Sequence, residues 1–166
     1  MDKPTALGPA AAALAVSEVL TARGVAFTVH RHGEVRTVDD IRSRTAFDVE
    51  NSVKAMAFTH DDRIVLAAVP GPARIRYGLL AAAVGARRTD LAAASQAVLR
   101  RLGMEPGGVS PVCQDPAVTV VFDPSVQRMG RVLCGSGRAD CTLELEASDL
   151  VTIPAHAVIA AITAGG

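Results

Sequence analysis

A chain of 166 residues has the length of one domain, long enough to bury a single sizeable core and too short for two. With 49% hydrophobic and 20% charged residues it is not a disordered or acidic-tail protein, and with 17 basic against 17 acidic residues it does not bind nucleic acid or membranes by bulk charge. Aromatic residues are 3% and Trp is absent, whereas Ala alone supplies 30 positions, so the core is expected from Ala, Val, Leu and Ile, with no aromatic platform for stacking bases.

Residues 10–23 read as a helix stopped by Gly24, and Val25 to Arg31 as a strand of β-branched and aromatic character. Thr37-Val-Asp-Asp40 resembles a capping box that opens a short helix to about Ala46, with carboxylates in the turn that a helix N-terminus favours. Val53 to His60 and Arg63 to Val69 form the clearest hairpin, two apolar runs joined by Asp61-Asp62, and Pro70-Gly-Pro72 ends the second strand. Arg74 to Val84 and Asp90 to Leu102 read as helices separated by Gly85-Ala-Arg-Arg88, the second started by Thr89 or Asp90 and closed by Gly103. Gly107-Gly-Val-Ser-Pro111 is a loop that cannot be helical. Strands follow at Val118 to Phe122, Arg131 to Cys134 and Cys141 to Leu145, with Asp123-Pro-Ser as a turn and Gly135-Ser-Gly137 between the last two. Ala147 to Leu150 and Pro154 to Ile162 close the chain as short helices. Helices interspersed with hairpins, without regular strand-helix alternation, predict a mixed α/β fold: one domain over residues 1–166, core about 6–162, with a curled mixed sheet flanked by helices.

No apolar run reaches the ~18 residues of a membrane span, and the segment from Pro9 to Val16 lacks a cleavage signature and reads as a mature helix. Cys113, Cys134 and Cys141 are odd in number without a C-x-x-C pair, which fits a reducing, cytoplasmic setting rather than a disulfide framework or zinc knuckle. His30 and His32 would share a strand face, yet no third ligand has a sensible spacing, so no metal site is expected. Ser110 is not in a G-x-S-x-G elbow, because Val112 stands at the second Gly. Gly135-Ser-Gly-Arg-Ala-Asp140 starts like a dinucleotide fingerprint but puts Asp140 at the third Gly, outside any βαβ unit. Arg87-Arg88 and Arg100-Arg101 read as solvated helix faces or as phosphate holders.

Fifteen of the basic residues are Arg, and only Lys3 and Lys54 are Lys. Strand periodicity puts Lys54, Met56 and Phe58 on one face, with Val53, Ala55 and Ala57 on the other. An ammonium in that setting is partly desolvated, which disfavours its charge unless an anion or carbonyl oxygen is near; the alternative is a lysine snorkelling to water. Gly107-Gly-Val-Ser-Pro111 has the composition either of an ordinary Gly-Pro turn or of a loop offering successive N–H groups to a carbonyl or phosphate oxygen.

Taken in order, Val53-Lys54-Ala-Met-Ala-Phe58, Pro70-Gly-Pro72, Gly107-Gly-Val-Ser-Pro111, and Gly135-Ser-Gly137 leading to Leu143-Glu-Leu145 and Asp149-Leu150-Val151 resemble the YbaK/EbsC family. These are trans-editing aminoacyl-tRNA deacylases related to the editing domain inserted in bacterial prolyl-tRNA synthetase. The resemblance runs from about Ala6 to Ile162. It implies hydrolysis of the ester joining a wrong amino acid, Cys or Ala on tRNA for proline, to the tRNA 3′ end, without cofactor, metal or covalent nucleophile. The family's lysine matches Lys54, and its G-x-x-x-P loop matches Gly107 through Pro111, Val109 included. Its later glycine turn matches Gly135, Ser136 and Gly137, although Cys134-Gly-Ser-Gly-Arg-Ala-Asp140 departs from the usual form.

The expected mechanism has water attacking while N–H groups near Gly107, Gly108 and Ser110 support the oxyanion. Lys54 would orient the adenosine or aminoacyl group, and Met56 and Phe58 would exclude larger side chains. The partners implied are the tRNA acceptor end and, with it, prolyl-tRNA synthetase. A non-catalytic module that binds the tRNA 3′ end, a synthetase or an aminoacyl-nucleotide is the alternative; a redox or metal protein using the cysteines has the least support.

Overall fold

A computed structural model describes residues 9–35, 37–45 and 47–164. Lys3, Ala6 at the start of the resemblance, and Ala46 at the expected end of the second helix lie outside the described residues. The strands are β1 Phe27–Arg31, β2 Ser52–His60, β3 Arg63–Pro70, β4 Ala92–Ala93, β5 Val118–Phe122, β6 Arg131–Gly135, β7 Cys141–Glu146 and β8 His156–Ile159. The helices are α1 Pro9–Ala22, α2 Val38–Arg44, α3 Tyr77–Ala83, α4 Gln96–Arg101, α5 Pro124–Gln127 and α6 Ala147–Leu150. Among the described residues the strands form one mixed sheet in the order β1-β7-β6-β2-β3-β5-β8, with β4 attached to β2 off that path. The expected mixed α/β class is the observed one.

The central strand explains the two-sided core. β3 is buried without interruption from Ile64 to Val69, as a strand covered on both faces must be. Ile64, Leu66 and Ala68 join the larger core with Leu20 of α1, Phe122 of β5, Leu145 of β7 and Leu150 of α6. Val65, Ala67 and Val69 join a smaller core with Phe58, Leu80 of α3 and Ile162. The β2–β3 hairpin pairs from His60↔Arg63 to Val53↔Pro70. Its Asp61 has φ 52°, the left-handed conformation that such a tight turn needs and that Asp tolerates better than most residues. Thr37 caps α2 as expected, accepting the Asp40 N–H at 3.0 Å.

Four segments differ from expectation, each because a longer-range contact outweighs local propensity. The helix predicted from Arg74 starts at Tyr77, because residues 74–76 are extended against the C-terminal stretch: Arg76 N–H donates to Ile162 C=O at 2.7 Å and Ala164 N–H to Arg74 C=O at 3.2 Å. The helix predicted over 90–102 begins only at Gln96, where the Ser95 hydroxyl accepts the Val98 N–H; before it, Ala92 and Ala93 pair with Thr59 and Phe58 of β2. Asp123-Pro-Ser opens α5 rather than forming a simple turn, and the Asp123 carboxylate also accepts the Ile162 N–H and the Thr163 hydroxyl, both at 3.0 Å. Pro154 to Ile162 is not a helix: His156–Ile159 is β8, parallel to β5, where Ala-Val-Ile suits a pleated edge. No helix among the described residues is long and apolar enough to cross a membrane.

The pairing of β2 positions the site. On one side it pairs with β3 along nearly its whole length. On the other it is paired, among the described residues, only at its ends: Ser52 and Val53 with Leu133 and Cys134 of β6, then Phe58 and Thr59 with Ala93 and Ala92 of β4. Between those ends the sheet is open.

Candidate functional site

The opening leads into a cavity of about 680 Å³, lined by every residue from Ser52 to Phe58 and of a size suited to a small-molecule moiety. Even-numbered β2 residues exchange hydrogen bonds with β3, as the two-residue hairpin dictates, so odd-numbered residues turn N–H and C=O the other way. There the Ala57 carbonyl accepts the Ala94 N–H at 2.9 Å, and Val53 meets β6. Ala55 falls between these partners, and its N–H and C=O face the gap.

Lys54 lines this cavity half-buried. Burial, and next the positive charge of Arg74, push its ammonium below the usual lysine range. Among the described residues no carboxylate or hydrogen-bond acceptor holds it. The site therefore offers a cation to an oxygen atom from outside the protein. Of its face-mates, Phe58 is 4% exposed and anchored in the smaller core, whereas Met56 is 39% exposed and free to adjust to what enters.

The opposite wall is made of backbone. Loop 105–111 and loop 135–140 are joined by two main-chain bonds, Gly137 N–H to Gly108 C=O at 2.6 Å and Glu105 N–H to Gly137 C=O at 3.0 Å, while Gly108 N–H to Glu105 C=O at 2.9 Å closes the first loop on itself. The Glu105 carboxylate adds a third tie by accepting the Ala139 N–H. Glycine is required for this approach. A Cβ on Gly108 would lie 2.4 Å from the Arg138 carbonyl carbon, and one on Gly135 would lie 2.1 Å from the Val109 oxygen. Gly107 and Gly137 have φ of 83° and 95°, which L side chains rarely adopt. The buried Ser136 hydroxyl donates to Cys141 C=O at 2.7 Å, and a bidentate Arg138–Asp140 pair holds the far end; that guanidinium keeps the Asp140 carboxyl at about 2.

The predicted site residues thus divide. Lys54, Met56, Phe58, Gly107, Val109 and Gly135 come together around the cavity. Gly108, Ser110, Pro111, Ser136 and Gly137 lie behind that lining and build the loops. The donors differ from expectation accordingly: Gly108 N–H is given to Glu105, and Ser110 N–H to the Met104 sulfur at 3.4 Å, while the Ser110 hydroxyl accepts from Val112 N–H at 3.1 Å. The N–H groups of Gly107 and Val109 have no partner among the described residues.

Cys134 and Cys141 also line the cavity, but burial pushes Cys134 up to about 12, and burial followed by the hydrogen bond with Asp140 raises Cys141. Both are protonated, small apolar surfaces rather than nucleophiles. His30 and His32 serve the sheet face, bonding Glu144 at 2.6 Å and Thr142 at 2.7 Å with the Phe47 ring against both.

Sequence reasoning missed Tyr77 and Leu91 on the rim, Arg74 beside Lys54, and Glu105 as the tie between loops, and it read the rim residue Arg88 as a solvated helix face or a phosphate holder. The rarity that singled out Lys54 applies equally to Tyr77, the single tyrosine of the chain.

Comparison with known proteins agrees with this architecture. Residues 32–153 match the family model described as the aminoacyl-tRNA editing domain. Proline–tRNA ligase of Bacillus pumilus (strain SAFR-032) is 31% identical over 107 residues, 64% of this chain and 19% of the ligase. That of Bacillus subtilis (strain 168) is 29% identical over 106 residues, with the same shares. The chain thus spans about a fifth of the length of these curated relatives. A crystal structure described as a candidate trans-editing enzyme for prolyl tRNA synthetase superposes with a TM-score of 0.77 at 21% identity, covering 99% of this chain and 100% of that one, and so shares its fold. With the match running from just after β1 through α6 and across both walls of the cavity, the chain belongs to the aminoacyl-tRNA editing domain family.

Proposed function

We propose that this chain is a deacylase that hydrolyses the ester of a mischarged aminoacyl-tRNA, with Cys- or Ala-charged tRNA for proline as substrate. The observation that carries the reading is Lys54, a half-buried ammonium in the cavity with a cationic neighbour and, among the described residues, no counter-charge. A ribose-linked aminoacyl ester with its adjoining phosphate supplies the oxygens such a group needs.

In this mechanism a water oxygen bonds to the ester carbonyl carbon. Negative charge gathers on the carbonyl oxygen, supported by the N–H groups of Gly107 and Val109. Collapse breaks the bond to the ribose oxygen, which takes the proton lost by water, releasing the amino acid and a tRNA with a free 3′ end. Ala55 offers its carbonyl to the substrate ammonium. The ester is already activated by the neighbouring ribose hydroxyl, so positioning and oxyanion support are what the protein adds. A second site of this kind serves discrimination that binding alone cannot supply between amino acids of similar size. The acceptor end needs few phosphate contacts, which suits a chain of zero formal charge, and prolyl-tRNA synthetase is the partner we assign for delivery.

The test is a panel of purified tRNAs charged with Ala, Cys, Ser and Pro, scored for loss of the ester with time. Turnover of Ala- or Cys-charged tRNA for proline supports the reading. Saturable binding without turnover of any ester replaces it with a non-catalytic module.

A further inference from the structure

We propose that Tyr77 and Arg88 form a nucleobase-binding lip on the cavity rim, where the terminal base of the acceptor end stacks against the Arg88 guanidinium backed by the Tyr77 ring. The proposal rests on the deacylase reading of the cavity. Tyr77, the first residue of α3, is 38% exposed. Its ring is held edge-on by the anchored Phe58, with centroids 5.6 Å apart at 67°. The Arg88 guanidinium carbon lies over the ring, 5.1 Å from its centroid. Both residues line the same cavity as Lys54 and Gly107. The neighbouring Asp90 carboxylate is taken by Arg87 at 3.2 Å, not by Arg88.

The result is an exposed cation backed by an aromatic ring, and bases stack on both kinds of surface without regard to their hydrogen-bonding edges. Of the cavity's other aromatic rings, Phe58 is buried in the smaller core and Phe47 is already faced by His30 and His32. A ligand that places its ester by the Gly107 loop and its phosphate by Lys54 has its base left to seat, and this stack is the planar surface on the rim. On this proposal one tyrosine, extended by an arginine, serves as the platform that composition alone does not lead one to expect.

The chain contains one Tyr and no Trp, so its intrinsic fluorescence reports this lip alone. Titration with the trinucleotide CCA should quench that emission, and ribose 5-phosphate should not. Arg88→Ala and Arg88→Lys should both weaken the quenching about tenfold, since Lys keeps the charge but loses the plane. In deacylation, Tyr77→Ala should raise KM about tenfold with kcat within about twofold, while Tyr77→Phe keeps KM. Absence of quenching by CCA, equal quenching by ribose 5-phosphate, full function of Arg88→Lys, or an unchanged KM in Tyr77→Ala would each overturn the lip. CCA quenching without hydrolysis of any charged tRNA supports the lip and removes the deacylase reading. Hydrolysis with wild-type KM in both Tyr77→Ala and Arg88→Ala does the reverse.

Discussion

The two walls of the cavity are made of different material. The wall built from loops 105–111 and 135–140 is main chain, closed by peptide hydrogen bonds and by glycines that leave no room for a Cβ. The wall built from β2 and its rim is side chain: a lysine with no counter-ion among the described residues, an exposed methionine, and a tyrosine carrying an arginine. Main chain holds donors at fixed positions, which suits the support of a developing charge. Side chains of graded mobility suit the selection of a ligand. Substitutions on the first wall should therefore damage folding and rate together, and those on the second should alter binding, pH response or selectivity in a stable protein.

The largest expected effect comes from Gly135→Ala. Its Cβ would overlap the Val109 oxygen, so the loops must part. We expect a loss of about 3 kcal/mol in denaturant unfolding and a fall of about a hundredfold or more in kcat, as oxyanion donors shift. An alanine variant with native stability and rate would show that the close approach is dispensable.

Lys54→Ala comes next, with kcat/KM down roughly thirtyfold, about 2 kcal/mol of transition-state stabilisation, and stability unchanged or improved. Lys54→Arg is the sharper probe, because the chain uses Arg at nearly every other basic position. Full activity in that variant would remove the special role of the compact ammonium.

A pH profile separates Lys54 from its neighbour. Because burial and Arg74 lower its folded-state pKa, kcat/KM corrected for spontaneous hydrolysis should decline with rising pH before an ordinary lysine would titrate. Arg74→Ala should move that decline to higher pH. Stability should respond oppositely: between the depressed folded pKa and the unfolded one, the unfolded chain binds more protons, so the unfolding free energy rises with pH. A decline unmoved by Arg74→Ala would place the titrating group elsewhere.

The smallest effect is expected at Met56. Shortening this exposed side chain to Ala should change relative rates for esters of different side-chain size by about threefold, at unchanged stability. Equal rates across the same esters would leave Phe58 as the determinant of size.

The two walls were also unequally legible in the sequence. Gly107, Gly108, Gly135 and Gly137 announced tight backbone, and alternation around Lys54 announced its strand, because both signals are local. The donor identities were not legible: whether Gly108 or Gly107 offers a free N–H depends on Glu105 and loop 135–140, about thirty residues away. Tyr77 and Arg88 were hidden for a related reason. They meet only because the chain from Arg74 to Arg76 is pinned to the C-terminal stretch and residues 92–93 pair with β2, whereas Ala-rich segments carry a helical signal there. The same override turned the expected last helix into β8.

The gap beside Ala55 has a consequence for the life of the chain outside catalysis. A strand with unpaired peptide groups is a template onto which another chain can add, and proteins shield such edges with charge, proline, bulges or covering segments. Here the interrupted stretch of β2 lies in mid-sheet, closed at one end by β6 and at the other by β4, beneath the Gly107 loop. A ligand small enough to enter the cavity can pair with it, but a neighbouring polypeptide cannot reach it. The interruption that gives the protein its binding edge thus keeps that edge from becoming a site of aggregation.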